Sequence, residues 1–158
     1  MAPYGVEAYS DPRERVQAFL DGASSRPSTD GWDVSCMKEI KLVSVDEGIV
    51  EFEFTVTQQM CNPLNILHGG CASTILDVLT STAVFTLPDK AELVQTLSRT
   101  LTMTFLRPVL VDTTVRVVAK LVQVGRSFVH CTGEILTLDG KVCVSCTHDK
   151  GVWSRSKM

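Results

Sequence analysis

Hydrophobic and polar positions change their spacing several times along the chain, and each change predicts an element. In SDPRERVQAFLDGASSRPSTDGW, from Ser10, apolar residues recur at helical spacing, with Val16, Phe19 and Leu20 on one side. Ser10 or Asp11 suits the N-cap, Pro12 fits the first helical position, where a missing N–H costs nothing, and Gly22 marks the expected end. A turn-rich connector follows from Ser24 to Gly31. From Glu39 the period becomes two: EIKLVSVDEGIVEFEFTV alternates in two runs joined at Asp46-Glu47-Gly48, which predicts a β-hairpin.

The stretch NPLNILHGGCASTILDVLTSTAVFTLP, Asn62 to Pro88, interrupts that alternation and predicts a long helix of small and apolar residues. Beyond it, LVQTLSRTLTMTFLRPV, TTVRVVAKLVQVG, RSFVHCTGEILTLDG and KVCVSCTHDKGVW read as strands rich in Val, Thr, Leu and Phe, broken at Pro108, Gly125 and Asp139-Gly140. No helix separates these last runs, so hairpin connections are expected. The order predicts an α+β chain: an antiparallel sheet of five to six strands around a long central helix. Residues 1–38 are read as an N-terminal helix and connector, and 39–158 as the single globular body.

Composition narrows the function classes. With 158 residues, 44% of them hydrophobic, the chain is long enough for one well-buried core. A net charge of −3 and the lack of any dense Lys/Arg run argue against nucleic acid as a partner. The six cysteines are expected to be free thiols, because such a core needs no staples and the N-terminal stretch has no apolar signal region. Cys143 and Cys146 have CxxC spacing but lie in an alternating strand, where residues three apart face opposite ways. With no second CxxC and three dispersed histidines, no metal is expected. Cytoplasm is the expected location, with the mitochondrial matrix as the alternative. Ile66 to Leu87 has the length of a membrane span, yet carries His68, Asp77 and seven Ser, Thr or Cys residues, so a core helix is expected and no membrane partner.

Asp77 is the one acid between Ile66 and Leu87. Burying an ionised carboxylate without partners costs several kcal/mol, so its presence in an apolar helix asks for a purpose. Hydrogen bonding to a nearby hydroxyl, or a solvent-facing strip of helix, would be structural explanations. Gly69 and Gly70 have two readings of their own: glycine permits tight turns, and N–H groups at a helix start attract negative charge. Asp77 follows Gly69 by eight residues, hence about 12 Å along a helix axis. One copy cannot bring both to one small bond. If they cooperate they come from two chains, which a two-fold dimer provides twice. Cys71, in the first turn of the helix, is a competing nucleophile, although a small packing role fits its apolar neighbours better.

Asn62, His68-Gly69-Gly70 and Asp77, followed by LSRTLTMTFLRPV with Pro108 in register, resemble the signature of hotdog-fold thioesterases of the phenylacetate-degradation type and the wider thioesterase superfamily. The similarity runs from about Glu39 to Lys150. It implies hydrolysis of an acyl-CoA thioester to a free acid and coenzyme A, without a cofactor, by a homodimer or a dimer of dimers. On that resemblance, Asp77 would activate water or attack the thioester carbonyl itself. The Gly69 N–H and the Asn62 side chain would receive the developing oxyanion, His68 would position or polarise the thioester, and Ser98 would help Asp77 hold the water. Gly70, Arg99, Arg107, Gly125, Arg126, Ser127, His148 and Lys150 would line the coenzyme, although Arg99, Arg107, Arg126 and Lys150 also read as solvated surface charges and His148 as a surface residue near the chain end. Two other functions remain: hotdog dehydration of a 3-hydroxyacyl thioester, and a non-catalytic module that binds acyl thioesters. His130, inside an alternating strand beside Cys131, is expected to be a hydrogen-bonded sheet residue.

Overall fold

The computed structural model describes residues 3–27, 31–88 and 95–152. After a 3-10 segment at Pro3–Ala8, helix α1 spans Pro12–Ser25 and a short helix α2 spans Val34–Met37. Asp11 caps α1, its carboxylate accepting the Glu14 N–H at 3.0 Å. The helix runs past Gly22 because Ala23 is buried: packing carries it through a residue that propensity alone would make a stop. Helix α2, at four residues, is too short to show a period in the sequence.

Strands β1 (Lys41–Asp46) and β2 (Ile49–Thr55) form the expected hairpin. Strands β3 (Thr96–Phe105), β4 (Thr114–Val124), β5 (Phe128–Thr137) and β6 (Val142–Val152) complete a six-stranded sheet in the order β1-β2-β4-β5-β6-β3. Every pairing is antiparallel. The start of the first strand-like run after Pro88 lies outside the described residues. β3 crosses back to pair with β6, so it forms the far edge of the sheet.

Helix α3 (Gly69–Thr80) packs against β3 to β6 and continues as a 3-10 segment, Ser81–Thr86. Its start is seven residues later than the helix expected from Asn62. Asn62 and Asn65 close a turn instead: the Asn62 N–H donates to Ile66 O at 2.8 Å, and Asn65 adopts a left-handed backbone, φ 59°. Asn-Pro and Asn favour turns, which outweighs the apolar content of the stretch. At the other end, hydroxyls of Thr80, Ser81, Thr82 and Thr86 bond back to the carbonyls of Leu76, Asp77, Leu79 and Ala83, competing with the regular ladder as the helix tightens.

Ile75, Leu76 and Leu79 of α3 meet Phe52, Phe54, Val115, Val117 and Ile135 in one buried cluster. The helix comes very close to β5 at Gly133. A Cβ there would lie 2.7 Å from Thr80 Cγ2 and 2.9 Å from Leu76 Cδ2, so glycine sets the helix-to-sheet distance. Helix α1 closes the outer side. Val16 and Leu20 join the same cluster, Phe19 meets Phe85 edge-on at 5.4 Å, and Arg15 donates to Phe85 O and Leu87 O at 3.2 and 3.0 Å. That guanidinium satisfies carbonyls left open where the helical segment ends. Among the described residues, no helix is long and apolar enough to cross a membrane.

Candidate active site

The two ends of α3 carry different chemistry. At its start His68 is the N-cap, and its Nδ1 accepts the Gly70 N–H at 2.9 Å. An accepting Nδ1 puts the ring proton on Nε2. Gly69 occupies the first helical position, and among the described residues its N–H has no acceptor. Such a donor, with the positive end of the helix dipole behind it, suits an oxygen gaining negative charge. The Phe105 ring covers it, 3.3 Å from where a Cβ on Gly69 would stand. Asn62 Oδ1 accepts the N–H groups of Leu64 and Ile66 at 2.9 and 3.2 Å, which orients its amide with Nδ2 as the remaining donor.

Asp77 is 43% exposed in this chain, which corrects the expectation of a buried, unpaired acid. The helix buries Ala72, Ile75, Leu76, Leu79 and Thr80, leaving Ser73, Thr74 and Asp77 on a half-exposed strip beside edge strand β3. The acid is also partnered. Ser98 Oγ, from edge strand β3, donates to Asp77 Oδ1 at 2.6 Å.

Behind this pair lie two charged-type side chains that sequence reasoning assigned to the coenzyme. His148 is fully buried and Lys150 is 3% exposed, both on the α3 side of β6. Lys150 Nζ donates to Ser98 Oγ at 3.3 Å and to His148 Nε2 at 3.4 Å. The Thr80 hydroxyl donates to Leu76 O at 2.7 Å, so it accepts from His148 Nδ1–H, also at 2.7 Å. That leaves Nε2 bare in the neutral ring, 3.3 Å from Asp77 Oδ1. Burial, and then the neighbouring Lys150 charge, push the His148 pKa down to about 4, against the pull of Asp77. Burial also lowers the Lys150 pKa, opposed by Asp77.

The other candidates divide between the same two ends. Arg99 stacks over the Phe128 ring at 4.1 Å, beside the turn of Gly125, Arg126 and Ser127, and Ser127 O accepts the Val152 N–H at 2.9 Å. These residues share the Asp77 end of the sheet. Arg107 does not join them. It follows the opposite end of β3, donates to Val142 O and lines a cleft with Phe105 and Ala72 at the Gly69 end. His130 bonds Asp149 across β5 and β6 at 2.7 Å. The Cys71 thiol donates to Cys36 Sγ at 3.4 Å, and this bond with burial raises its pKa far above the ordinary value, which disfavours it as a nucleophile. All six cysteines are free, and among the described residues no group of three or more His, Cys, Asp or Glu is arranged to hold a metal.

Thr80 and Trp32 escaped the sequence reading. Thr80 gains its role through His148, 68 positions away, which no local pattern signals. Trp32 is 83% exposed in the connector and donates from Nε1 to Thr74 Oγ1 at 3.0 Å. It lines both a cavity of 510 Å³ beside Asp77 and one of 520 Å³ beside His68 and Gly70. A large apolar side chain among turn residues was the available signal.

Residues 64–144 match the model of the thioesterase superfamily. The chain belongs to that superfamily and is a thioester hydrolase with a hotdog fold. Among solved structures it is similar to zebra fish thioesterase superfamily member 2, with a TM-score of 0.79 and 19% identity over 89% of this chain and 97% of the other. A phenylacetic acid degradation-related protein from Ralstonia eutropha JMP134 is 27% identical, with a TM-score of 0.66 over 86% and 98% of the two chains. A hypothetical thioesterase protein from Streptococcus pneumoniae TIGR4, solved with coenzyme A, has a TM-score of 0.69 and 18% identity over 78% and 93%. A comparison with curated proteins gives no match.

Proposed function

We propose that the protein hydrolyses acyl-CoA thioesters, with each active site shared between two copies. The observation that carries this reading is the separation of the two kinds of group. The unpartnered Gly69 N–H, with Asn62 and His68, lies at one end of α3, whereas Asp77 and Ser98 lie at the other. Strand β3 supports the pairing of copies. It is an edge strand of ten residues, and Leu97 and Phe105 on it are 59% and 55% exposed. Unpaired edges and exposed apolar side chains favour association. Two antiparallel β3 strands about a two-fold axis would bring Ser98 of one copy towards the Phe105 end, and hence the Gly69 end, of the other.

In this site the thioester oxygen takes the Gly69 N–H, helped by the Asn62 amide and the His68 Nε2–H. These donors stabilise the charge that grows as the carbonyl is attacked. Asp77 takes a proton from water, whose oxygen adds to the carbonyl carbon, and the carbon–sulfur bond breaks as that proton passes to the leaving sulfur; or Asp77 itself adds, the sulfur leaves as thiolate, and water then cleaves the acyl–Asp77 anhydride to the free acid and supplies the proton to the thiol. Ser98 spends its proton on Asp77 and leaves the second carboxylate oxygen for the reacting water. Lys150 holds Ser98, and His148, accepting from Lys150 at Nε2, holds that lysine in place, so their role is positioning. Phosphates of the coenzyme then fall to exposed cations, with Arg99 and Arg126 at the Asp77 end and Arg107 at the Gly69 end. A coenzyme A complex in a structural relative agrees with this substrate class. Residues 1–38 act as a packing arm of the 39–158 body, through Arg15 and Phe19.

Thiol release from a panel of acyl-CoAs of graded chain length tests the assignment. The wild type should release thiol and Asp77→Asn should lose at least about a hundredfold in kcat, the scale of a lost general base. Equal release by both would remove Asp77 from the mechanism. Hydration of an enoyl-CoA without thiol release would point to the dehydratase instead, and binding without either reaction to a non-catalytic module.

A further inference from the structure

We infer that Cys36 and Cys71 form a reversible thiol–disulfide pair that responds to hydrogen peroxide and clamps the start of α3. The two sulfurs are 3.4 Å apart, one on α2 and the other in the first turn of α3. Both residues are half-buried and line the cavity of 520 Å³ that also reaches His68 and Gly70, so a small oxidant has access to them. A disulfide requires about 2.05 Å between the sulfurs, so closure draws them together by roughly 1.4 Å from their present separation.

The pair is also electronically asymmetric, as a nucleophile and its resolving partner need to be. The hydrogen bond from the Cys71 thiol is the main influence lowering the Cys36 pKa to about 7; Ser35 adds to it, while burial and Asp33 oppose it. The same contact keeps Cys71 protonated. Cys36 is therefore the one of the two that ionises near neutral pH. It attacks one peroxide oxygen, the O–O bond breaks, and hydroxide leaves and takes up a proton to become water, giving Cys36 sulfenic acid. The Cys71 sulfur then attacks the Cys36 sulfur and loses its proton, and the hydroxyl leaves with a proton as a second water. Two thiols lose two electrons and two protons, and hydrogen peroxide is reduced to two waters.

Closure would act where the reaction needs accuracy. Cys71 follows Gly69 by two residues, so pulling its sulfur towards α2 displaces the turn that presents the Gly69 N–H. A displacement of about 1 Å in a positioned group can cost up to a hundredfold in rate. Hydrolysis should fall at least tenfold on oxidation and return with dithiothreitol. This catalytic consequence rests on the acyl-CoA reading, whereas formation of the bond does not.

The test treats the full chain with stoichiometric hydrogen peroxide, maps its cysteines by peptide mass spectrometry without reduction, and follows thiol-independent acid release from an acyl-CoA. A Cys36–Cys71 cross-linked peptide with a dithiothreitol-reversible loss of activity is expected. Cys36→Ser should keep the reduced-state rate and lose the peroxide sensitivity; Cys71→Ser should instead stop at a dimedone-reactive Cys36. A cross-link of either residue to Cys61, or overoxidation without any cross-link, would overturn the pair. The cross-link without a change in rate would overturn the clamp. A protein that hydrolyses nothing in either redox state counts against the acyl-CoA reading, and the peptide map then decides the pair alone.

Discussion

Asp77, Ser98, Lys150, His148 and Thr80 form a continuous chain of contacts from the helix surface into the sheet. Lys150→Met keeps the length of the stem and removes the donor to Ser98. If Lys150 positions Ser98, kcat should fall about tenfold, with KM little changed, on the scale of one lost hydrogen bond to a charged group. A rise in KM alone would assign it to coenzyme binding. His148 makes a separate, pH-dependent prediction. Its folded pKa is about 4 against an ordinary 6.5, so between these values the unfolded chain binds more protons than the folded one. Stability should therefore fall as pH drops from about 6.5 to about 4, by about 3 kcal/mol in all. Urea unfolding at several pH values should show a shallower decline for His148→Asn, and an equal slope would sink the assignment. Asp77 itself was legible as an outlier in an apolar helix. A hydroxyl partner and a solvent-facing strip were among its readings and both hold, with Ser98 already named by resemblance, but only the rotation of the helix against a strand distant in sequence decided between them and a buried site.

Among the elements, α3 and β5 depend on one close approach. Gly133→Ala places a methyl group against Thr80, which is fully buried and already committed to His148 and Leu76. Overpacking of this kind costs about 1–3 kcal/mol, and the helix shift should disturb the tether behind Asp77 as well. The midpoint of urea unfolding should drop, with the slope unchanged. At the start of α3, proline fits the first helical position and has no N–H, so Gly69→Pro deletes the proposed donor with little demand on the helix. Phe105 must yield slightly, and as a half-exposed ring it has room to do so. Hydrolysis should fall by about a hundredfold, the scale of a lost oxyanion donor, while circular dichroism stays native. The strand pattern and the hairpin at Gly48 were readable from alternation. The late start of α3 was not, since Asn62 and Asn65 impose a turn on an apolar stretch.

For the whole molecule, a site shared across two copies makes a prediction that a site within one chain cannot. Asp77→Asn and Gly69→Pro should each be inactive alone. Mixed by unfolding and refolding together, they should recover about a quarter of wild-type activity: random pairing makes half the dimers mixed, and each mixed dimer has one intact site of two. No recovery, with mixed dimers demonstrated by mass spectrometry, would place Asp77 and Gly69 in the same site of one chain.

Local order and the motif were decided by the sequence itself. Alternation and β-favouring composition marked all six strands within a few residues, and the cap at Asp11 and Pro12 started α1, because period and turn preference act over a few residues, while Asn62, His68-Gly69-Gly70 and Asp77 pointed to the family by resemblance. Tertiary structure decided what those residues meet. Strand β3 lies at the sheet edge because it pairs with β6, and that pairing puts Ser98 against Asp77 and buries Lys150 beneath both. The same packing turned His148 and Lys150, expected beside the coenzyme, into an internal support, and brought Cys36 to Cys71 across 35 positions. Contacts between residues so far apart depend on how the sheet closes on its helix, and a single chain's local pattern carries no measure of that distance.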